Sequence, residues 1–201
     1  MRTLTTTALV GATLIAGASL ANADIKNEYL LSDELTITEN AAKVQNFSTL
    51  MAAVEAAGLA DDLMGEGPFT IFAPTDEAFA ALPEGTVEEL LKPENIGQLE
   101  ELLKAHVVPG VVTSEDIDLA AIGSDVAEIG ELDVEVMDGK VMMDSLVQSD
   151  IAVEKIGDAF YVSAYATSPS DNEPEASIIE ANIMASNGVI HVIDNVLTPD
   201  S

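Results

Sequence analysis

The chain has 201 residues, a formal net charge of −29 and 48% hydrophobic residues, with no cysteine. That length suits one domain with a real core, and the apolar fraction argues against disorder in spite of the charge. Asp and Glu number 36 against 7 Lys and Arg; nucleic acid and anionic lipid are therefore disfavoured as partners, since both require cations to meet phosphates, and thiolate catalysis and thiolate metal sites are ruled out.

The N-terminus, MRTLTTTALVGATLIAGASLANAD, has the layout of a secretory signal peptide. Arg2 gives the positive region, Ala8 to Leu20 the apolar one, and Ala21-Asn22-Ala23 the small-residue cleavage pattern, which predicts export to a periplasm or the exterior after cleavage behind Ala23. No later segment is apolar enough to span a bilayer. Residues 24–46 read as a weakly patterned lead-in. FSTLMAAVEAAG, Phe47 to Gly58, reads as a helix with Ser48 as N-cap and Gly58 just past its end. Phe69 to Ala73 is a strand that Pro74 must end, and Thr75 is placed to cap the next helix, with Asp76 and Glu77 in its first turn. TVEE, Thr86 to Glu89, has the form of a capping box, and Pro93 can open the helix that presents Ile96, Leu99, Leu102 and Leu103.

Beyond His106 the period changes from helical to alternating. Hairpins are expected around Asp138-Gly139, around Gly157-Asp158, and at Asn187-Gly188, a residue pair preferred in type I′ turns. Ser168 to Glu175 is a polar loop. Helices come first and antiparallel strands later, so the class is α+β within one domain.

Three blocks now carry a family resemblance. GPFTIFAPTDEAFAALPEGTVEELLKPEN (67–95), LLKAHVVPG (102–110) and ASNGVIHVIDNVLTP (185–199) resemble, in order, the signature segments of fasciclin-type (FAS1) domains. The resemblance covers 47–199 and implies two small antiparallel β-sheets forming a wedge with helices along one side. It also implies a secreted, non-enzymatic module for adhesion or for matrix or envelope association, with a protein or glycan surface as partner and no cofactor. Two departures stand out. Ala105 occupies the place where the family usually has a tyrosine or similar large residue, so adhesive contacts assigned to that tyrosine do not carry over. Leu146 to Glu175 reads as an insertion with its own hairpin and acidic loop, expected to be separable from the fold and to carry individual binding behaviour.

The residues that could bear chemistry are Pro74, Thr75, Asp76, His106, Asn187, Gly188, His191 and Asp194. Cap and turn chemistry accounts for the Pro74–Asp76 step without a substrate. His106, on the apolar side of a helix end, needs a polar partner, and the Thr75-Asp76 turn is the expected one. Metal ligation lacks a second histidine or cysteine at ligand spacing. His191 alternates with Ile190 and Val192, so it faces away from them and is expected at or near the surface. A Ser186–His191–Asp194 triad can be drawn, but no nucleophile-elbow motif supports it. Weak Ca2+ binding at Asp171, Glu173 and Glu175 is the cation alternative. The EF-hand spacing is absent, and a solvated acidic loop is the favoured reading of those residues. Strand alternation makes Met143 core and Met142 outward. An extracytoplasmic small-ligand or divalent-cation binder using the acidic insertion is the alternative to the adhesion reading.

Overall fold

The computed structural model describes residues 32–65, 67–121, 128–129, 132–137, 140–147, 149–165 and 175–198. The leader, the lead-in up to residue 31, the Asp138-Gly139 turn and the loop from Ser168 to Pro174 lie outside the described residues.

Helices α1 (Ile37–Ala41), α2 (Ser48–Ala57) and α3 (Ala60–Leu63) precede strand β1 (Phe69–Pro74). Helices α4 (Asp76–Ala80), α5 (Thr86–Leu90) and α6 (Ile96–Ala105) then lead to β2 (Val107–Pro109) and α7 (Ser114–Ala121). The remainder is strand: β3 (Glu128–Ile129), β4 (Leu132–Asp133), β5 (Glu135–Met137), β6 (Lys140–Asp144), β7 (Asp150–Ile156), β8 (Ala159–Tyr165), β9 (Ala176–Ala185) and β10 (Gly188–Ile193). The class is α+β.

Local chemistry explains most boundaries. Gly58 ends α2 at φ 70°, a left-handed cap that costs glycine little. Pro93 starts a 3-10 turn, Pro93–Asn95, that feeds α6. Two expected caps do not form. Thr86 lies inside α5, whose N-cap is Gly85 at φ 89°, so the TVEE capping box is not made. Ser48 likewise lies inside α2, and its start is capped from elsewhere in the chain, as described below.

Eight strands form one sheet in the order β2-β1-β10-β9-β8-β7-β6-β5, and β3 pairs with β4 separately. Among the described residues, only β1 and β10 run parallel. The wedge expected from the family arises within this single sheet. The long strand β9 pairs with β8 through Ala176–Ile178, and with β10 from Ile178 to Ala185. A four-stranded part, β2-β1-β10-β9, and a five-stranded part, β9-β8-β7-β6-β5, therefore share β9, with Ile178 in both ladders. At the far end, Leu146 N–H donates to Val107 C=O at 2.9 Å, tying the end of β6 back to β2.

Two apolar clusters result. One, between the helices and β1, β2 and β10, is built on Phe47, Leu50, Val54, Ile71, Leu99, Leu103 and Ile190. The other fills the wedge with Phe72, Val108, Ile117, Val141, Ile151, Val153, Val162 and Ile193. Met143 joins the second cluster, as its alternation indicates.

The segment 146–175 does form the Gly157-Asp158 hairpin, but not as an appendage. β7 and β8 lie between β6 and β9, and Ile151, Val153 and Val162 are fully buried. The expectation of a separable insertion is corrected on that ground: removing it takes out two interior strands and part of the wedge core. A chain lacking residues 149–165 should show no cooperative unfolding transition by circular dichroism, whereas a sigmoidal melt would show the hairpin to be dispensable.

Candidate functional site

The first polar corner joins β1 to α4. Thr75 Oγ1 accepts from the Ala78 N–H at 3.2 Å, capping α4, while the Thr75 N–H donates to Ile193 C=O at 3.2 Å. Asp76 turns outward to a different helix. Its carboxylate accepts from the Thr49 N–H at 2.7 Å and from the Ser48 hydroxyl at 2.5 Å, so it caps the start of α2 from 27 residues away. Burial alone would raise the Asp76 pKa, but the hydrogen bonds from Ser48 and Thr49 outweigh it and hold the carboxyl below its ordinary value.

The second corner is the β9–β10 turn. Gly188 pairs directly with Ala185, so the two turn residues are Ser186 and Asn187. Neither has positive φ, which excludes the type I′ turn expected at Asn187-Gly188. Gly188 is needed for another reason: a Cβ there would lie 1.9 Å from the Phe69 carbonyl oxygen. The Asn187 side chain is a junction. Its oxygen accepts from the Ile37 N–H at 2.9 Å, and its amide donates to Leu63 C=O at 2.8 Å and Gly65 C=O at 3.0 Å. One side chain thus fastens α1 and the end of α3 to the sheet.

Both histidines are buried, and each departs from expectation. His106 does not reach the Thr75-Asp76 turn. Its Nδ1 lies 2.7 Å from Leu102 C=O, and its Nε2 accepts from the Leu197 N–H at 2.9 Å. Burial pushes its pKa down to about 4, against a smaller opposing contribution from the Leu102 carbonyl. His191 does face away from Ile190 and Val192, but it is 0% exposed rather than superficial. Alternation assigns a side chain to a face; here the second face is the wedge interior. Its ring stacks on Phe72 with centroids 5.6 Å apart, and its Nε2 lies 2.8 Å from Val112 C=O. Burial lowers its pKa, with the Val112 hydrogen bond opposing.

Asp194 is exposed and closes a local loop: it accepts from the Ser177 N–H at 2.7 Å and returns its own N–H to Ser177 C=O at 3.1 Å. The Ser186–His191–Asp194 trio is therefore not assembled, because the His191 nitrogens are turned to Val112 and Asn182. Among the described residues, no group of three or more His, Cys, Asp or Glu side chains converges to hold a metal ion. A cavity of about 30 Å³ lies between α1, α2, α6 and β1, lined by Ile37, Met51, Leu63, Ile71 and His106 among others. That space is far below an ordinary ligand pocket of roughly 300 Å³ or more.

Three residues with structural roles escaped the sequence reading. Asn182, at φ 62° in the bulge opposite His191, accepts from the Ser114 N–H at 2.9 Å and so caps α7. Thr70, fully buried, donates to Gly110 C=O at 2.7 Å and accepts from the Val112 N–H at 2.9 Å. Asn40, also fully buried, accepts from the Ser32 N–H at 3.0 Å and donates to Ser32 C=O at 2.8 Å. Only Thr70 carried a signal, as a lone polar residue inside the apolar run Phe69 to Ala73; Asn40 and Asn182 have the acidic residues Glu39 and Glu180 close by.

The sequence model of the fasciclin domain family matches residues 45–199. The chain belongs to the fasciclin domain family. This FAS1 chain is 43% identical over 165 residues to protein sll1483 of Synechocystis, covering 82% of this chain and 74% of that one. It is 38% identical over 154 residues to transforming growth factor-beta-induced protein ig-h3 of Sus scrofa, covering 76% of this chain but 18% of that longer protein. The fold matches a solved FAS1 domain pair from the insect cell adhesion molecule fasciclin I with a TM-score of 0.64 at 16% identity, over 82% of this chain and 51% of that one. Among the described residues of this FAS1 domain, no helix is long and apolar enough to cross a membrane.

Two substitutions test the corners. Asp76→Ala should cost about 1–2 kcal/mol at neutral pH in urea denaturation, the typical loss for a helix cap. Because its folded pKa lies below the unfolded value of 3.8, that contribution is complete above pH 3.8 and disappears as pH falls through the folded pKa. The gap between Asp76→Ala and wild type should therefore close in acid. Gly188→Ala should cost about 3 kcal/mol, since the Phe69 backbone must move to admit a methyl group; an unchanged denaturation midpoint would mean that strand β1 yields freely.

Proposed function

We propose that this FAS1 chain is an exported, non-enzymatic recognition module that binds a protein or glycan surface in an adhesive, matrix or cell-envelope setting. The observation that carries this reading is how the eight candidate residues are used. Thr75, Asp76, His106, Asn187, His191 and Asp194 direct their polar side-chain atoms at the chain's own backbone and at Ser48, while Pro74 and Gly188 serve backbone geometry. Recognition is left to the outer faces. Membership of a family with an insect cell adhesion molecule supports the same reading, and the signal-like N-terminus supports export.

The outer faces are strongly acidic. Lys92, Lys104, Lys140 and Lys155 each pair with a carboxylate, so much of the positive charge is already neutralised within the chain. A partner with a basic or neutral surface fits such a coat better than an acidic one. The tip of the β7–β8 hairpin offers Ile156, 52% exposed, as an apolar anchor within it. Ile156→Glu should leave the melting temperature unchanged and weaken binding to immobilised matrix or envelope material about tenfold, the scale of one interface anchor. Wild-type binding should also fall with added salt and need no small molecule. Salt-independent binding that Ile156→Glu leaves intact would overturn this assignment.

A further inference from the structure

His106 stands where α6 hands the chain to β2, and its ring is claimed from both sides. A neutral imidazole with its proton on Nδ1 satisfies both neighbours, donating to Leu102 C=O and accepting from the Leu197 N–H. An imidazolium cannot, because its second N–H would point at another N–H. Leu197 belongs to the segment 194–198 that follows β10, and that segment straddles the two cores. Val196, 3% exposed, packs into the helical cluster, and Leu197, fully buried, packs into the wedge.

Among the described residues, no acid or base compensates a charge on this ring. From α1, α2 and α3 the cavity beside it is lined by Ile37, Thr38, Met51 and Leu63, and from β1 and β10 by Phe72 and Ile190. On its own helix, Lys104 and Glu100 pair with each other on the outer side. On the strap, the Asp194 carboxylate is engaged with the Ser177 N–H. The other buried imidazole, His191, contacts Val112 and Asn182 rather than the strap.

We propose that His106 is an acid-sensitive latch on the C-terminal strap: protonation at Nε2 expels the Leu197 N–H, frees residues 194–198 and uncovers one end of both cores. This device is independent of the identity of any binding partner. The sign follows from linkage. The ring resists protonation with the strap closed, down to about 4, and takes up its proton near the ordinary 6.5 once the strap is open. Above 6.5 both forms are neutral and the latch holds fully. Between 6.5 and about 4 the opening equilibrium grows tenfold per pH unit, ~300-fold in total, and then levels off.

The test is amide hydrogen exchange of residues 194–198 in the full chain, corrected for the intrinsic pH dependence of exchange, from about pH 7 to about pH 4. Wild type should lose strap protection ~100-fold across that range, short of the ~300-fold limit because the closed form is itself half-protonated at about pH 4. His106→Gln, which keeps a donor and an acceptor but cannot take up a proton, should lose less than about threefold. Flat protection in wild type, or an equal loss in His106→Gln, would overturn the latch. Should His106→Gln fail to fold, an NMR titration of wild type decides. His106 and the Leu197 amide should shift together near pH 4, and a His106 that titrates near its ordinary value overturns the proposal.

Discussion

The parallel pair β1–β10 is covered on both faces, by helices on one side and by the wedge on the other, and the rest of the molecule is arranged around that fact. In an ordinary half-exposed sheet, polar side chains on the second face meet water. Here Thr70 and His191 occupy that second face with no exposure at all. Each must find a partner inside, and each uses the connection from β2 to α7: Thr70 bonds Gly110 and Val112, and His191 bonds Val112. Among the described residues, no buried side-chain polar atom is left without a hydrogen bond. The polar residues that look like chemistry in the sequence are the consequence of burying a sheet twice.

Long-range polar ties recur at every corner. Asp76 reaches back to α2, Asn187 to α1 and α3, Asn182 to α7, and His106 forward to Leu197. Each joins elements distant in the chain; Asp76 caps α2, which has no local side-chain cap, while Asn187 and Asn182 add a second tie at the starts of α1 and α7, where Thr36 and Thr113 already cap locally. A cysteine-free chain has no disulfides to perform this stapling. Buried or half-buried hydrogen bonds to backbone perform it instead, each worth roughly 0.5–1.5 kcal/mol net but costly to leave half-made.

How much of this was legible depended on whether the deciding interaction was local. Thr75 as a cap, Gly58 as a helix end and Pro93 as a helix start rest on neighbours within a few residues, and each was readable. The Thr86 capping box and the Ser48 cap also looked local, but Gly85 and the distant Asp76 displaced them. His191 was assigned to the correct face and the wrong environment, because alternation says nothing of what covers a face. Asn187 and Gly188 were marked as a turn pair, yet the register moved by one residue, since what Gly188 answers to is the close approach of Phe69. The segment 146–175 looked optional because comparison with a family pattern measures length, whereas only the strand order shows that β7 and β8 are interior.

Helix α1 lies ahead of residue 45, where the match to the family begins, yet Ile37 and Ala41 are almost wholly buried and Asn187 grips its first turn. The physical edge of the unit and its recognisable edge are thus different places. A polypeptide trimmed to the matched region would bare a greasy strip across α2, α3 and β10, and its stickiness would be mistaken for a property of the intact protein. In proteins that string such units together, the stretch between neighbours that looks like a tether would on this pattern be partly the next unit's roof, which limits how freely adjoining units can swing.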